Sequence, residues 1–419
     1  MDEVNMKHMV HILLLAIAVG ISVRGVRGSS AIVEGSDNAE QFALLCRIYN
    51  VAKNPPINHV DVEYPLKIVN EIDAINASFI EEKPHNETEH VGNGSDAQLS
   101  HTTTLEAAAA QAILRRITEK SHTILEEIRK NNVTEEIKNV KAEFAHVIFG
   151  EDWSESNLCD VALKNLVKRP DACGKPADGK KGDSAGNNLV VDFFCLCSQR
   201  KEDGIQDACK VKVGGKGDNH GWSDQGPLGS SSMWASIKKE CGNLLHKAPK
   251  STTEAQEVLE DFLIHLKAGG VYKAKASNDY VKAGLKPGML GTAVTTKHGE
   301  DLICDGNKGK TKPPGGICVY YGSENDWKNI PWLKKLKNSL ISLDALNNKT
   351  ATIQRDIEKL QMLLHRAEKI YETAKVITEV QNPVVPPNLQ TATKRLTAYN
   401  AAWTLHPINH FILLWVLLQ

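Results

Sequence analysis

The sequence predicts a mainly α-helical protein: an elongated antiparallel helical coiled coil or bundle, with a disulfide-rich loop lobe inserted between its two long helices. Three observations lead to this prediction. Apolar residues recur every three or four positions in two long segments, eight of the nine cysteines lie between those segments, and aromatic residues make up only 5% of the 419 residues. Aromatic residues are enriched in strands, so a low content favours long helices over a β-sandwich.

The first long segment follows a short helix, which we expect from about Asp37 to Ala52. Its apolar positions lie three or four residues apart, which is the period of an amphipathic helix. They are Ile113, Ile117, Ile124 and Ile128, then Ile137, Val140, Phe144 and Val147, and the polar Ser121 occupies the position between Ile117 and Ile124. Asn131 and Asn132 interrupt the series, so we expect a bend there before the segment ends at Gly150.

The second long segment shows the alternating steps of four and three that are typical of a coiled coil. Its positions are Ile353, Ile357, Leu360, Leu364, Ala367, Tyr371 and Ala374. The pattern predicts a helix from Leu346 to about Val380, roughly 50 Å long at 1.5 Å per residue. An ordinary bundle helix is the alternative interpretation.

The region between the two helices, about residues 150–325, is rich in glycine and cysteine. In an oxidising compartment its cysteines predict four disulfides with one cysteine left over, and the sequence leaves the pairing open. The candidates are Cys46, Cys159, Cys173, Cys195, Cys197, Cys209, Cys241, Cys304 and Cys318. Leu189–Phe194 is a candidate strand. A capping box at Ser251–Glu254 predicts a helix that ends before Gly269.

Residues 1–28 have the features of a secretory signal peptide. Lys7 precedes the apolar run Met9–Val23, and small residues follow at the expected cleavage point near Gly28. A membrane anchor is the alternative, but the run is shorter than the roughly 20 residues that a spanning helix needs.

The last residues resemble a signal for attachment of a glycosylphosphatidylinositol (GPI) lipid. Asn400, Ala401 and Ala402 are small, an uncharged spacer follows, and Phe411–Gln419 is an apolar tail. We expect attachment at Asn400, with Ala401 and Ala402 as alternatives, and removal of residues 401–419. A buried strand or helix end is the other interpretation of this tail.

These terminal signals leave a main domain of residues 29–381 and a short linker, 382–400. Five Asn-X-Ser/Thr sequons fit an exported chain. The acceptor asparagines are Asn76, Asn86, Asn93, Asn132 and Asn348.

Charge and motifs give no evidence of catalysis or of nucleic-acid binding. The 50 basic and 51 acidic residues nearly cancel, whereas nucleic-acid binders normally carry a basic excess. Gly174–Lys181 resembles a phosphate-binding loop but lacks the Ser or Thr after the lysine, and the loop around Gly309 lacks the first glycine. No zinc-protease or serine-hydrolase motif occurs. We therefore predict a non-enzyme without catalytic, cofactor or metal residues.

One ordered set of residues carries a resemblance to a known family. Cys159 is followed by Cys173-Gly174, then by Asp192 and the run Cys195-Leu196-Cys197. Together with the Phe42–Cys46 helix and the apolar tail, this order resembles the B-type N-terminal domain of trypanosome variant surface glycoproteins. The chain departs from better-known members because Asn382–Asn400 contains no separate cysteine-rich C-terminal domain.

The resemblance implies a homodimer of elongated subunits, held on the outer leaflet of the plasma membrane by its GPI lipid after export. Such a coat shields the parasite membrane from host antibodies and changes by antigenic variation. The alternative is a GPI-anchored receptor for a host serum protein of the transferrin or haptoglobin–haemoglobin type, on the same scaffold. An exported enzyme that uses the cysteine-rich lobe is a third hypothesis.

Overall fold

The computed structural model describes most of the chain between residues 31 and 381. The described residues are 31–81, 105–151, 154–158, 163, 166, 168–213, 221–244, 246–275 and 281–381. The predicted signal peptide, linker and GPI signal lie outside them. The chain divides into two compact units, which are Met1–Val60 with Asn132–Thr352, and Asp61–Asn131 with Ile353–Gln419.

Most of the regular structure is helical, as predicted. The helices in the described part of the chain are α1 (Ala39–Lys53), α2 (Tyr64–Glu81), α3 (Leu105–Lys130), α4 (Thr134–Phe149), α5 (Arg169–Cys173), α6 (Leu189–Cys197), α7 (Ser230–Asn243), α8 (Thr252–Ala268), α9 (Glu324–Trp327) and α10 (Pro331–Gln381). The strands are β1 (Gly174–Lys175), β2 (Lys180–Lys181), β3 (Gly221–Ser223), β4 (Gly226–Leu228), β5 (Gly270–Lys275), β6 (Val281–Lys286), β7 (Met289–Thr295) and β8 (Gly315–Tyr320).

The unit that contains Asp61–Asn131 is built from α2, α3 and the C-terminal part of α10. The apolar face of α3 is buried, including Ile117, Ile124 and Ile128. On α10, Ile353, Leu360 and other positions of the predicted heptad pattern are buried as well. The ring of Phe79 on α2 meets the ring of Tyr371 on α10 edge to face at 6.4 Å. The heptad pattern therefore identified core positions of this unit.

The first long segment is two helices rather than one. Helix α3 ends at Lys130 and α4 begins at Thr134. The side-chain oxygen of Asn132 accepts the backbone N–H of Thr134 at 3.0 Å. Asparagine competes with helical hydrogen bonds in this way, so the two consecutive asparagines separate the helices.

Helix α10 begins at Pro331, earlier than the predicted start at Leu346. Proline is favoured at the first position of a helix because its missing N–H has no partner there anyway. Buried residues such as Trp332, Leu336 and Leu343 then continue the apolar face. The buried residues before Leu346 form a broader stripe than a coiled-coil seam, so the heptad pattern did not include this first part of α10.

The unit that contains Asn132–Thr352 has an aromatic core among its helices. Trp234 on α7 lies edge to face against Tyr49 at 5.5 Å, Phe149 at 5.8 Å and Phe193 at 6.0 Å. Edge-to-face contacts of this kind add to the stabilisation from burial. Helices α1, α4, α6 and α7 therefore share one core.

A four-stranded sheet lies in the same unit, in the order β6-β5-β7-β8. Strand β5 runs parallel to β7, and the other neighbours are antiparallel. Every residue of β7 and β8 is buried. The glycine-rich and cysteine-rich sequence predicts a loop-rich lobe here, and the four-stranded sheet makes the lobe more regular than that prediction.

The prediction of a strand at Leu189–Phe194 is wrong, because these residues belong to helix α6. The side-chain oxygen of Asn188 accepts the N–H of Val191 at 2.9 Å and caps the helix. All nine residues of α6 are buried. A segment that is buried on every side shows no apolar–polar alternation, so its period cannot distinguish helix from strand.

The predicted start of α8 is confirmed, but only one of the two capping-box hydrogen bonds forms, because the carboxylate of Glu254 accepts the N–H of Lys250 rather than that of Ser251. The hydroxyl oxygen of Ser251 accepts the N–H of Glu254 at 3.2 Å, and the helix ends before Gly269, which has a positive φ of 88°. Val258, Leu259, Phe262 and Leu266 are buried on one face.

Candidate functional site

The described residues contain four disulfides, as the sequence predicted: three lie within the cysteine-rich lobe and one joins the lobe to α1. The pairs, which the sequence left open, are Cys46–Cys241, Cys173–Cys195, Cys197–Cys209 and Cys304–Cys318. Cys159 lies outside the described residues.

One disulfide joins the lobe to a helix that lies outside the predicted insertion. Cys46 lies on α1, before the first long helical segment, and Cys241 lies on α7 within the lobe. The two residues are 195 positions apart in the sequence. The lobe is therefore covalently joined to the N-terminal helix, and it is not an independent attachment.

The guanidinium group of Arg169 is fully buried at the C-terminal end of α6. Its Nη1 donates to the carbonyl oxygen of Ser198 at 2.9 Å, and its Nη2 donates to that of Cys195 at 2.9 Å. These carbonyls lack helical partners and carry the partial negative charge of the helix end. Burial lowers the pKa of Arg169 to about 9, and the nearby carboxylate of Asp305 partly opposes this. Arg169 thus caps α6 and fixes the Cys195–Cys197 segment.

The carboxylate of Asp192 is fully buried on the same helix. Its Oδ2 accepts the hydroxyl of Tyr321 at 2.8 Å and the indole N–H of Trp332 at 2.7 Å. Its Oδ1 accepts the backbone N–H of Gly186 at 2.8 Å. Burial raises the pKa of Asp192 to about 7, although the three donors oppose the shift.

A buried carboxyl with a raised pKa is one sign of an active site. In Asp192, however, both oxygens already accept hydrogen bonds from groups of the fold. These bonds connect α6 to Tyr321, which follows β8, and to the start of α10. The arrangement therefore supports a structural role for Asp192.

His265 on α8 contacts α1 through a second polar cluster. Its Nδ1 lies 2.8 Å from the carbonyl oxygen of Asp261, and its Nε2 lies 3.2 Å from a carboxylate oxygen of Glu40. Burial opposes charging of the ring, but the hydrogen bonds with Glu40 and Asp261 outweigh it and raise the pKa of His265 above 6.5. Because both ring nitrogens face acceptors, the imidazolium form fits this geometry. The cluster joins two helices and contains no nucleophile.

Two clefts lie on the unit that contains Asn132–Thr352, and the arginine that borders each of them already forms an ion pair. A cleft of about 410 Å³ is bordered by Arg47 and Glu254, among others. Arg47 forms an ion pair with Asp261 at 2.8 Å, and Glu254 accepts the N–H of Lys250. A second cleft of about 310 Å³ borders Arg200, which pairs with Asp224.

The described residues include no cluster of three or more histidine, cysteine, aspartate or glutamate side chains that could hold a metal ion. In the same part of the chain, no helix combines the length and apolar character needed to cross a membrane.

The two segments that resemble phosphate-binding loops have structural roles. Gly174–Lys175 pairs with Lys180–Lys181 as a short hairpin, and the ammonium group of Lys175 bonds to Asp171 at 2.7 Å. The loop around Gly309 is held by the N–H of Thr311, which donates to the carboxylate of Asp203 at 3.1 Å. Neither segment leads from a strand into a helix as a phosphate loop does.

The predicted modification sites are distributed over both units. The side chains of Asn132 and Asn348 are exposed, and that of Asn76 on α2 is partly exposed. Asn86, Asn93 and the GPI attachment residue Asn400 lie outside the described residues. All six remain predictions.

No sequence pattern predicts the roles of Arg169, Asp192 or His265. Asp192 is one of the positions that carry the family resemblance, but the resemblance does not indicate which residues Asp192 contacts. Tyr321 and Trp332 lie 129 and 140 residues from Asp192, so no local signal could have identified these hydrogen bonds.

Comparison with known proteins identifies one family. A family model described as a trypanosomal VSG (variant surface glycoprotein) domain, VSG_B, matches residues 83–362, which is more than half of the chain. No curated protein sequence matches the chain closely enough to count as a relative.

Proposed function

Because the chain belongs to the trypanosomal VSG domain family, a family of surface coat proteins, we propose that it is a GPI-anchored variant surface glycoprotein. In this proposal the protein shields the parasite plasma membrane from host antibodies and is replaced by antigenic variation. The family match over residues 83–362 is the observation that carries the proposal.

The physical character of the described residues supports a non-catalytic coat role. The polar groups that are deeply buried, such as Arg169 and Asp192, are used to hold helices and loops together. Four disulfides stabilise the same unit. Exposed loops tolerate substitution better than the elements that they connect. A cross-linked core with exposed loops that tolerate substitution suits a protein whose outer surface must change.

The finer features of the proposal come from the terminal sequences and from the family. We propose export with removal of residues 1–28, GPI attachment at Asn400 and N-glycosylation at the predicted sequons. The mature chain would be a homodimer with an elongated antiparallel helical scaffold, densely packed on the cell surface. A GPI lipid would hold it in the outer leaflet without a protein span.

Treatment of living cells with a phosphatidylinositol-specific phospholipase tests the anchor. The expected result is release of most of the protein into the medium, with an intact mass that ends at or near Asn400. A variant that lacks Phe411–Gln419 is the control, because it should not receive the lipid. Retention of the full chain after treatment would contradict the proposed anchor.

The copy number on the surface tests the coat role separately. A coat protein must dominate the surface proteins of the cell that expresses it, whereas a receptor need not. A low copy number, together with stoichiometric recovery of one host serum protein, would contradict the coat role. No contact among the described residues favours the receptor alternative.

A further inference from the structure

Two loops of the unit that contains Asn132–Thr352 are joined by hydrogen bonds. The first comprises residues 200–213 and the second comprises residues 306–313. The N–H of Lys308 donates to the carbonyl oxygen of Asp203 at 2.8 Å, and the N–H of Thr311 donates to the carboxylate of Asp203 at 3.1 Å. The two loops therefore form one continuous surface.

A small apolar cluster around Val33 holds the C-terminal part of the first loop close to the second loop. Val33 packs with Ala208 and Ile317, and its N–H donates to the carbonyl oxygen of Lys308 at 2.8 Å. The disulfide between Cys197 and Cys209 holds the first loop further. The backbone of both loops is thus held in place independently of the exposed side chains.

Exposed lysines are concentrated on this surface. We call it the basic surface and define it by Lys201, Lys210, Lys212, Lys310 and Lys312, all of which are exposed. Within the described part of the chain, no ion pair joins any of the five to a carboxylate.

The acidic residues nearby do not neutralise the basic surface. Asp305 accepts the backbone N–H groups of Asn307 in the second loop and of Gly316 on β8. Asp203 and Lys308 are both partly buried and balance each other in charge. Glu202 and Asp207 are the exposed acids of the first loop, so five lysines face two acids and leave an excess of three positive charges. This local excess contrasts with the net charge of −1 of the whole chain.

The composition of the basic surface distinguishes between anionic partners. Binding to a membrane surface combines basic charge with apolar side chains that enter the lipid. The large hydrophobic side chains that are exposed in the described residues all lie outside these two loops. A linear polyanion needs no apolar insertion, because its binding depends on closely spaced charges and on release of its counterions.

We propose that the basic surface binds a sulfated polysaccharide of the glycosaminoglycan class. The sulfate groups would pair with the ammonium groups of lysines from both loops, whose relative positions the hydrogen bonds of Asp203 fix. This binding is separate from the proposed coat function, and either can fail without the other.

The test measures binding of the full-length protein to immobilised heparin at several salt concentrations. The wild-type chain should bind, and its affinity should fall steeply as salt rises. The double variant Lys310→Glu/Lys312→Glu should bind at least about thirtyfold more weakly, since each lysine near an anionic surface contributes about 1 kcal/mol and two are lost. A second variant, Lys201→Glu/Lys212→Glu, changes the other loop and should weaken binding similarly.

The matched control is Lys334→Glu/Lys337→Glu, which makes the same change in net charge at exposed positions of α10. It should retain nearly the wild-type affinity. Equal weakening in the control would show that only net charge matters and would overturn the proposal. Absence of wild-type binding to heparin at physiological salt would do so as well.

Two other ligands test which kind of anionic partner the basic surface binds. Hyaluronan carries carboxylates without sulfate, and it should bind much more weakly than heparin. Vesicles with anionic phospholipid should not bind measurably. Vesicle binding that depends on the same lysines would instead assign the surface to a membrane and would overturn the polysaccharide assignment.

Discussion

Removal of the Cys46–Cys241 disulfide should destabilise the protein more than removal of a short-range disulfide. A cross-link restricts the unfolded chain, and in the chain-entropy treatment its effect grows with the logarithm of the loop that it closes. The separation of 195 residues between Cys46 and Cys241 corresponds to about 5 kcal/mol. The separation of 12 residues between Cys197 and Cys209 corresponds to about 3 kcal/mol.

The two disulfides differ mainly in the length of the loop that each closes, because their other contributions to stability are similar. All four sulfur atoms belong to buried residues, so replacement by alanine removes comparable packing in each pair. Other disulfides lie within the larger loop and shorten it, but a logarithmic dependence makes this correction small. The expected difference between the two double variants is therefore about 2 kcal/mol.

Urea and thermal unfolding of non-reduced protein would measure this difference. Cys46→Ala/Cys241→Ala should melt roughly 4–8 °C below Cys197→Ala/Cys209→Ala, at the usual 2–4 °C per kcal/mol for a unit of this size. Equal stabilities, or a lower stability for the Cys197 variant, would refute the argument from loop length. The local environment of each disulfide would then determine its contribution.

Three further substitutions test polar and backbone contacts of the fold. Tyr321→Phe removes one hydrogen bond to the buried carboxylate of Asp192 and should lower the free energy of unfolding by about 1.5–3 kcal/mol, measured by urea denaturation. Glu40→Gln should lower the pKa of His265, because the hydrogen bond between Glu40 and His265 is one cause of the raised pKa. NMR titration of the ring protons of His265 measures this pKa. Since the folded pKa lies above 6.5, this contact stabilises fully below pH 6.5 and loses its contribution as pH rises through the folded value. Gly291→Ala would place a Cβ atom 2.4 Å from a carbonyl oxygen of β8 at a φ of +96°, and should cost at least about 2 kcal/mol in thermal or urea unfolding.

Two of these substitutions have a matched control in the same chain, and the third has a result that would contradict it. Tyr320→Phe removes a hydroxyl that does not bond to Asp192, so a similar loss in both variants would contradict the proposed hydrogen bond. An unchanged pKa of His265 in Glu40→Gln would show that Glu40 does not hold the proton. Gly179→Ala introduces a Cβ atom into open space at a positive φ of 65°, and it should cost less than Gly291→Ala.

Local signals predicted the helices whose ends and faces are defined by neighbouring residues. Helix α8 is the clearest case, because Ser251, Glu254 and Gly269 act on the first and last turns themselves. The heptad pattern of α10 likewise identified buried positions such as Ile357 and Leu360. In both, the periodicity reports a boundary between a buried face and an exposed one.

Elements that lack such a boundary were missed or misassigned. Helix α6 is buried on all faces, and β7 and β8 are buried at every position. None of the three elements therefore shows a periodic change between apolar and polar residues. Helix α2 has a buried face and an exposed face but was not predicted, for a different reason: its buried Ile68, Val69 and Ile72 are β-branched, which favours strands over helices. The sheet also depends on a parallel pairing of β5 with β7, which is set by the fold rather than by adjacent residues.

The same distinction separates residues that can vary from residues that cannot. Arg169 and Asp192 lie in the core and satisfy hydrogen bonds from several elements, so their substitution should destabilise the unit. The loops of the basic surface are held by backbone groups and by Asp203, and therefore exposed lysines such as Lys310 can change without disturbing the fold. A polyanion reads the number and spacing of charges more than the identity of each residue. Under the two proposals together, the basic surface can alter its epitopes while it retains affinity for a sulfated polysaccharide, provided that its basic excess remains.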